Sequence, residues 1–132
     1  MRHTILYIED NPDNLLLVQR VLEAHHCKTV WAANGLTGIE MAQIHRPNLI
    51  LLDINLPDID GYEVARRLRS DGQLRYTPII AITANALKGD ADKALAAGCD
   101  VYMSKPINIR ELWARVVGML PDQAPLAEVN FE

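Results

Sequence analysis

Apolar residues along this chain gather in five short runs, and between the runs they recur at three- and four-residue intervals. The runs at Thr4 to Ile8, Lys28 to Ala33, Leu49 to Leu52, Ile79 to Thr83 and Val101 to Ser104 predict strands. The run at Leu49 to Leu52 lacks alternation, the habit of a parallel strand covered on both faces. The periodic stretches predict five helices. The first starts at Asn11-Pro12, proline being suited to a first turn. It turns Leu15, Val18 and Leu22 inward, with Leu17 and Val21 widening the stripe. The second spans Thr37 to His45 with Ile39, Ala42 and Met41 inward, and Arg46-Pro47 ends it. The third spans Tyr62 to Ser70, with Val64, Ala65 and Leu68 inward. The fourth, Lys88 to Ala97, is closed by Gly98. The last, Ile109 to Leu120, sets Ile109, Leu112, Val116 and Leu120 at helical spacing before Pro121 stops it. Five strand–helix alternations imply an α/β fold, a parallel sheet wound on both faces with right-handed crossovers. Residues 1–120 form the expected domain. Residues 121–132 form a tail without period, expected to be mobile.

The strand ends change the picture from fold to chemistry. The first strand ends in Glu9-Asp10, the third in Asp53, the fourth in Thr83 and the fifth in Lys105. Parallel strands bring their carboxyl ends to one edge, where such sheets bind ligands. Taken singly, Asp53 reads equally as a cap or turn residue, and Lys105 as a solvated surface lysine. Four strands ending this way are harder to explain by structure alone. Three clustered carboxylates repel one another unless a cation lies between them. Oxygen ligands at that density suit Mg²⁺, with Mn²⁺ as an alternative. Thr83 and Lys105 would meet a phosphoryl group, and Asp53, on the central strand, is the candidate nucleophile for an aspartyl-phosphate. Asn55 and Asn85, each two residues past a site residue, either tune the lifetime of that phosphate or simply shape turns.

Composition narrows the partners. The chain has 132 residues, 49% of them hydrophobic, and a net charge of −4, so one globular domain is expected and direct nucleic-acid or membrane-surface binding is not. Cys27 and Cys99 have no metal-ligand spacing and read as buried small residues. Met1 to Thr4 leads straight into a strand, so a signal peptide is not expected and a cytoplasmic location is.

Four blocks then carry a family resemblance: Glu9-Asp10, L-L-D-I-N-L-P-D-I-D-G around Asp53, I-T-A-N-A holding Thr83, and A-A-G-C-D-V-Y-M-S-K-P holding Tyr102, Lys105 and Pro106. In this order and spacing the chain resembles the receiver domain of bacterial two-component response regulators, over about residues 3 to 120. The finer likeness is to single-domain DivK-type regulators and to receivers of hybrid histidine kinases. The resemblance implies a CheY-like sheet of order 2-1-3-4-5. It implies Asp53 as phosphoacceptor, Asp10 as direct Mg²⁺ ligand, Glu9 assisting, and the backbone carbonyl of Asn55 as a further ligand. It implies Thr83 and Lys105 as the phosphoryl-contacting pair, Tyr102 as an aromatic switch and Pro106 as a cis-proline. The donor would be a sensor histidine kinase or a histidine phosphotransfer protein. The output would be a protein partner on a face that includes Ala91, Lys93, Tyr102, Arg110 and Trp113, although Tyr102 also reads as a surface aromatic and Trp113 as core. A homodimer through the last two helices is compatible with the pattern. Glu9 stands where the family often has Asp, and its length bears on metal geometry.

Three other readings stay open. The chain could be a relay intermediate that hands its phosphate to a histidine phosphotransfer protein. It could be an aspartate-based phosphohydrolase, but those enzymes need a second Asp two positions after the nucleophile, and Asn55 stands there. It could be a nucleotide or flavin binder, but no glycine-rich loop follows the first strand, and Glu9-Asp10 would repel phosphate there.

Overall fold

The computed structural model describes residues 3–84 and 89–120, with only the backbone of Asp90. Five strands and five helices alternate: β1 (Thr4–Ile8), α1 (Pro12–Ala24), β2 (Lys28–Ala32), α2 (Gly35–His45), β3 (Leu49–Asp53), α3 (Gly61–Ser70), β4 (Ile79–Thr83), α4 (Asp90–Ala96), β5 (Val101–Ser104) and α5 (Ile109–Met119). All pairings are parallel and the sheet order is β2-β1-β3-β4-β5. The expected tail at 121–132, Asn85 and the expected helix start at Lys88 lie outside the described residues.

Strand parity divides the core. Side chains alternate across a strand, so Leu6, Ile8, Ile50, Leu52, Ile79 and Ala81 pack with Ala42 of α2, Val64, Ala65 and Leu68 of α3 and Ala94 of α4. Ile5, Tyr7, Leu49, Leu51, Ile80, Ile82 and Met103 face the other way, onto Val18 and Leu22 of α1 and Leu112 and Val116 of α5. Every residue of β3 and β4 is buried, which explains their unbroken apolar sequence. The edge strand β2 is buried only at alternate positions.

Four helices start on an Asx side chain. Asn11, Asn34, Asp60 and Asn108 accept backbone N–H bonds at the starts of α1, α2, α3 and α5. The fourth helix differs: its N-cap is Gly89 at φ +80°, with no side-chain cap bond. Ile109 does not join the core as the spacing predicts. It is the first residue after the Asn108 cap and is 44% exposed, whereas Leu112 and Val116, one and two turns further on, are buried. Helices α2 and α3 begin two residues and one residue earlier than their apolar periods suggest, since Asn34 and Asp60 cap ahead of glycine.

Gly61 is required by close approach. A Cβ there would lie 2.5 Å from the Ile54 Cα and 2.8 Å from the Asp53 carbonyl, both backbone atoms that cannot swing aside. Its N–H donates to the Ile54 carbonyl at 2.9 Å, closing the loop after β3. That loop is fastened on its other side by Asp58, whose carboxylate accepts the N–H groups of Gly35 and Leu36 at 2.8 and 2.9 Å. Cys27 and Cys99 are both buried and neither is in a disulfide.

Candidate functional site

The β1–β3 register pairs Tyr7 with Leu51 and Ile8 with Leu52. One step further it brings Glu9 beside Asp53 at the carboxyl edge. Parity puts both on the α1/α5 side of the sheet, continuing the series Ile5, Tyr7, Glu9 and Leu49, Leu51, Asp53. Glu9 is fully buried and Asp53 is 1% exposed, whereas Asp10 is exposed. Carboxylate oxygens of the three lie within 4.8 Å of one another. This is the acidic cluster the strand ends predict.

Lys105 closes the cluster. Its Nζ lies 3.2 Å from Asp53 Oδ2 and 3.4 Å from Glu9 Oε1. Its own N–H donates to the Thr83 carbonyl at 2.8 Å, and the following Lys105–Pro106 peptide bond is cis. Asn55 N–H donates to Asp53 Oδ1 at 3.0 Å, while the Asn55 side-chain oxygen accepts the Ala84 N–H at 3.3 Å. The Asn55 side chain is thereby tied to the end of β4. Thr83 is 1% exposed and, by parity, lies on the α4 side of the sheet, the side on which Tyr102 packs half-buried.

Burial and charge shape the titration. Burial raises the Asp53 carboxyl, the Asn55 N–H opposes the rise and the Glu9 charge adds to it, and the group ends at about 6. Burial pushes Glu9 up as well, but hydrogen bonds from Tyr7 and Asp53 and the Lys105 charge outweigh it, so Glu9 ionises below an ordinary glutamate. Of the two carboxyls, Asp53 is thus the one that takes up a proton first as pH falls. A divalent cation between them would favour the ionised form of both. The donor set fits an oxygen-ligated ion such as Mg²⁺: three converging carboxylates, two of them without solvent, with one ammonium to offset them.

Sequence reasoning missed the supports of Glu9. The Tyr7 hydroxyl donates to Glu9 Oε1 at 2.8 Å, the Asn14 amide to the same oxygen at 3.4 Å, and the Asn11 N–H to Oε2 at 3.2 Å. Trp31 of β2 donates its indole N–H to the Glu9 carbonyl at 2.6 Å. A signal for Tyr7 existed: two residues before Glu9 on a strand, it must share its side. Burial first, then Glu9, push the Tyr7 phenol well above its usual range, so the hydroxyl stays a donor.

The residues of the expected partner face differ in exposure. Lys93 and Arg110 are exposed and Ala91 is half-buried. Trp113, half-buried against the core, stacks its ring on His25 at 3.8 Å between centroids, tying α5 to the end of α1.

The 2-1-3-4-5 sheet thus sets two buried carboxylates and a lysine together at its carboxyl edge. The response regulator receiver domain family matches residues 5–117, and the chain belongs to it. It is 39% identical over 122 residues, 92% of this chain and 99% of the relative, to the polar-differentiation response regulator DivK of Brucella anthropi. Among solved structures, the receiver domain of the sensor histidine kinase PA1611 from Pseudomonas aeruginosa is 35% identical, with a TM-score of 0.84, covering 91% of this chain and 98% of that one. That structure has a magnesium ion coordinated in its active-site cleft. The chemotaxis protein CheY4 of Vibrio cholerae shares the fold at a TM-score of 0.86 and 24% identity, covering 91% of this chain and all of that one. The protein is a receiver domain of the two-component response regulator class. Among the described residues, no helix is long and apolar enough to cross a membrane.

Proposed function

We propose that Asp53 accepts a phosphoryl group from a phosphohistidine on a sensor histidine kinase or histidine phosphotransfer protein. The observation that carries this reading is Asp53 itself: a carboxylate sealed from water at a sheet edge, set between Glu9 and Lys105. An Asp53 oxygen attacks phosphorus in line. The P–N bond to imidazole breaks, a P–O bond forms, and the departing imidazole takes up a proton. Asp10, Asp53 and the Asn55 carbonyl would hold Mg²⁺, with Glu9 behind them. When bound, the ion offsets the charge of the incoming phosphoryl oxygens. Lys105 offsets charge on the same group as a point cation, and Thr83 donates its hydroxyl to it. Thr83 and Tyr102 occupy the same side of the sheet. Movement of Thr83 toward the phosphate would shift Tyr102 and the face formed by α4, β5 and α5, the surface offered to a downstream protein. In this reading the protein works in the cytoplasm, beside its phosphodonor.

The Asn55 side chain, committed to the Ala84 N–H, is no general acid, which weighs against turnover of external phosphate esters. A relay role draws support from the likeness to a receiver carried by a sensor histidine kinase. The test is intact mass after incubation with acetyl phosphate and Mg²⁺. One hydroxylamine-sensitive phosphoryl adduct is expected, absent from Asp53→Asn and from chelated wild type. An adduct that persists in Asp53→Asn would assign the acceptor elsewhere. Transfer of the label to a histidine phosphotransfer protein would establish the relay.

A further inference from the structure

The layer between the sheet and helices α1 and α5 is made of Ile5, Leu49, Leu51, Ile80, Ile82, Val18, Leu22, Leu112 and their like. Tyr7 sits among them, fully buried. A phenylalanine would fill the same space, so packing explains the ring and leaves the hydroxyl unexplained. That hydroxyl makes one described bond, to Glu9 Oε1 at 2.8 Å. Glu9 in turn is buried completely, and a carboxylate without water must be fully hydrogen-bonded to stay ionised. Glutamate carries one more rotatable bond than aspartate, so it needs a fixed anchor to present its charge at one place. Tyr7 from below and Asn14 from α1 supply that anchor on Oε1, and the Asn11 N–H supplies it on Oε2. The backbone of the same residue is pinned by Ala32, which accepts the Glu9 N–H at 2.9 Å, and by the Trp31 indole on its carbonyl.

We propose that Tyr7 is a positioning residue of the divalent-cation site: its hydroxyl holds the Glu9 carboxylate where the longer side chain serves the ion that Asp10 and Asp53 bind. Tyr7 touches neither the ion nor the phosphoryl group and acts through Glu9. The proposal rests on the metal site of the preceding reading. Residues behind metal ligands typically set affinity by about 10–100-fold when they are removed. It also makes Tyr7 and Glu9 a matched pair. The hydroxyl meets the carboxylate of Glu9 at 2.8 Å, and an aspartate, one methylene shorter, would draw the carboxylate away from it.

The test is a Mg²⁺ titration of the full chain in four forms: wild type, Tyr7→Phe, Glu9→Asp and the double variant. Binding is followed by tryptophan fluorescence, since Trp31 is hydrogen-bonded to Glu9. Thermal unfolding in chelator is recorded beside it, and titrations are run where every form is folded. Tyr7→Phe is expected to weaken Mg²⁺ by about tenfold. In the Glu9→Asp background the same change is expected to alter affinity less than about twofold, the signature of a coupled pair. Unchanged Mg²⁺ affinity in Tyr7→Phe would overturn the proposal. An equal loss in both backgrounds would overturn it too, by showing a general packing effect. Absence of Mg²⁺ binding in wild type would overturn the underlying site as well, so the two failures are distinguishable.

Discussion

The two ends of the sheet's carboxyl edge are built differently. On the β1–β3 side, Glu9 is held by side-chain and backbone donors from three elements, and α1, α2 and α3 all start on Asx caps. On the β4–β5 side, α4 has seven residues and starts on a glycine without a side-chain cap. Ala94 anchors it in the core, and the segment after its far end is clasped by an arginine. Arg69 of α3 donates to the carbonyls of Gly98, Leu74, Arg75 and Thr77 and pairs with Asp100 at 2.7 Å. Asp100 also accepts the Ile79 N–H at 2.9 Å. One end of the site is fixed chemistry. The other carries a short helix whose following segment is clasped by Arg69 and whose N-cap, Gly89, offers no side-chain bond.

Three measurements would break or sharpen that contrast. The largest effect is expected from Arg69→Ala, which strips four carbonyls and a carboxylate of their donor. Unfolding in urea should show a loss of roughly 2–4 kcal/mol. Hydrogen exchange should rise in α4 and β5 while α1 stays protected, and a uniform rise would erase the contrast. Next comes Asp53→Asn in chelator. In wild type the raised Asp53 pKa means that the folded chain keeps a proton the unfolded chain has lost between the ordinary carboxylate value and about 6. Stability therefore falls as pH rises through that window, and the penalty is complete above it. Asp53→Asn removes the penalty, so calorimetry at neutral pH should find the variant more stable by roughly 1–3 kcal/mol, with the gap closing below pH 4. No gap at neutral pH would mean that the β1–β3 side carries no stored charge strain. The smallest effect is expected from Asn108→Ala, about 1 kcal/mol for a lost cap. Protection should drop in α5 to the level of α4, and an unchanged α5 would show that caps do not set the difference.

The sequence carried the alternation of elements because period-2 and period-3.6 patterns are local. It carried Glu9, Asp10, Asp53, Thr83 and Lys105 because parallel strands necessarily align their ends. It did not carry the Arg69 clasp, which depends on where the α3 end, the loop before β4 and the loop after α4 meet across about thirty residues of chain. The Trp113–His25 stack was hidden for the same reason: helical spacing says that a face is inward, not which neighbour it meets. Ile109 shows the converse. It shares the helical spacing of Leu112 and Val116, but spacing does not say how far along a helix the core reaches.

The two buried cysteines give that contrast a clock. Cys27 follows α1 and is 1% exposed; Cys99 follows α4 and is 4% exposed. Burial pushes the Cys99 thiol up to about 11, so neither shielding nor reactivity favours attack while the fold is closed. A thiol reagent can then modify each sulfur only during an opening of its own region. The ratio of the two labelling rates reads, in one tube and without mutation, how often each end of the molecule comes apart.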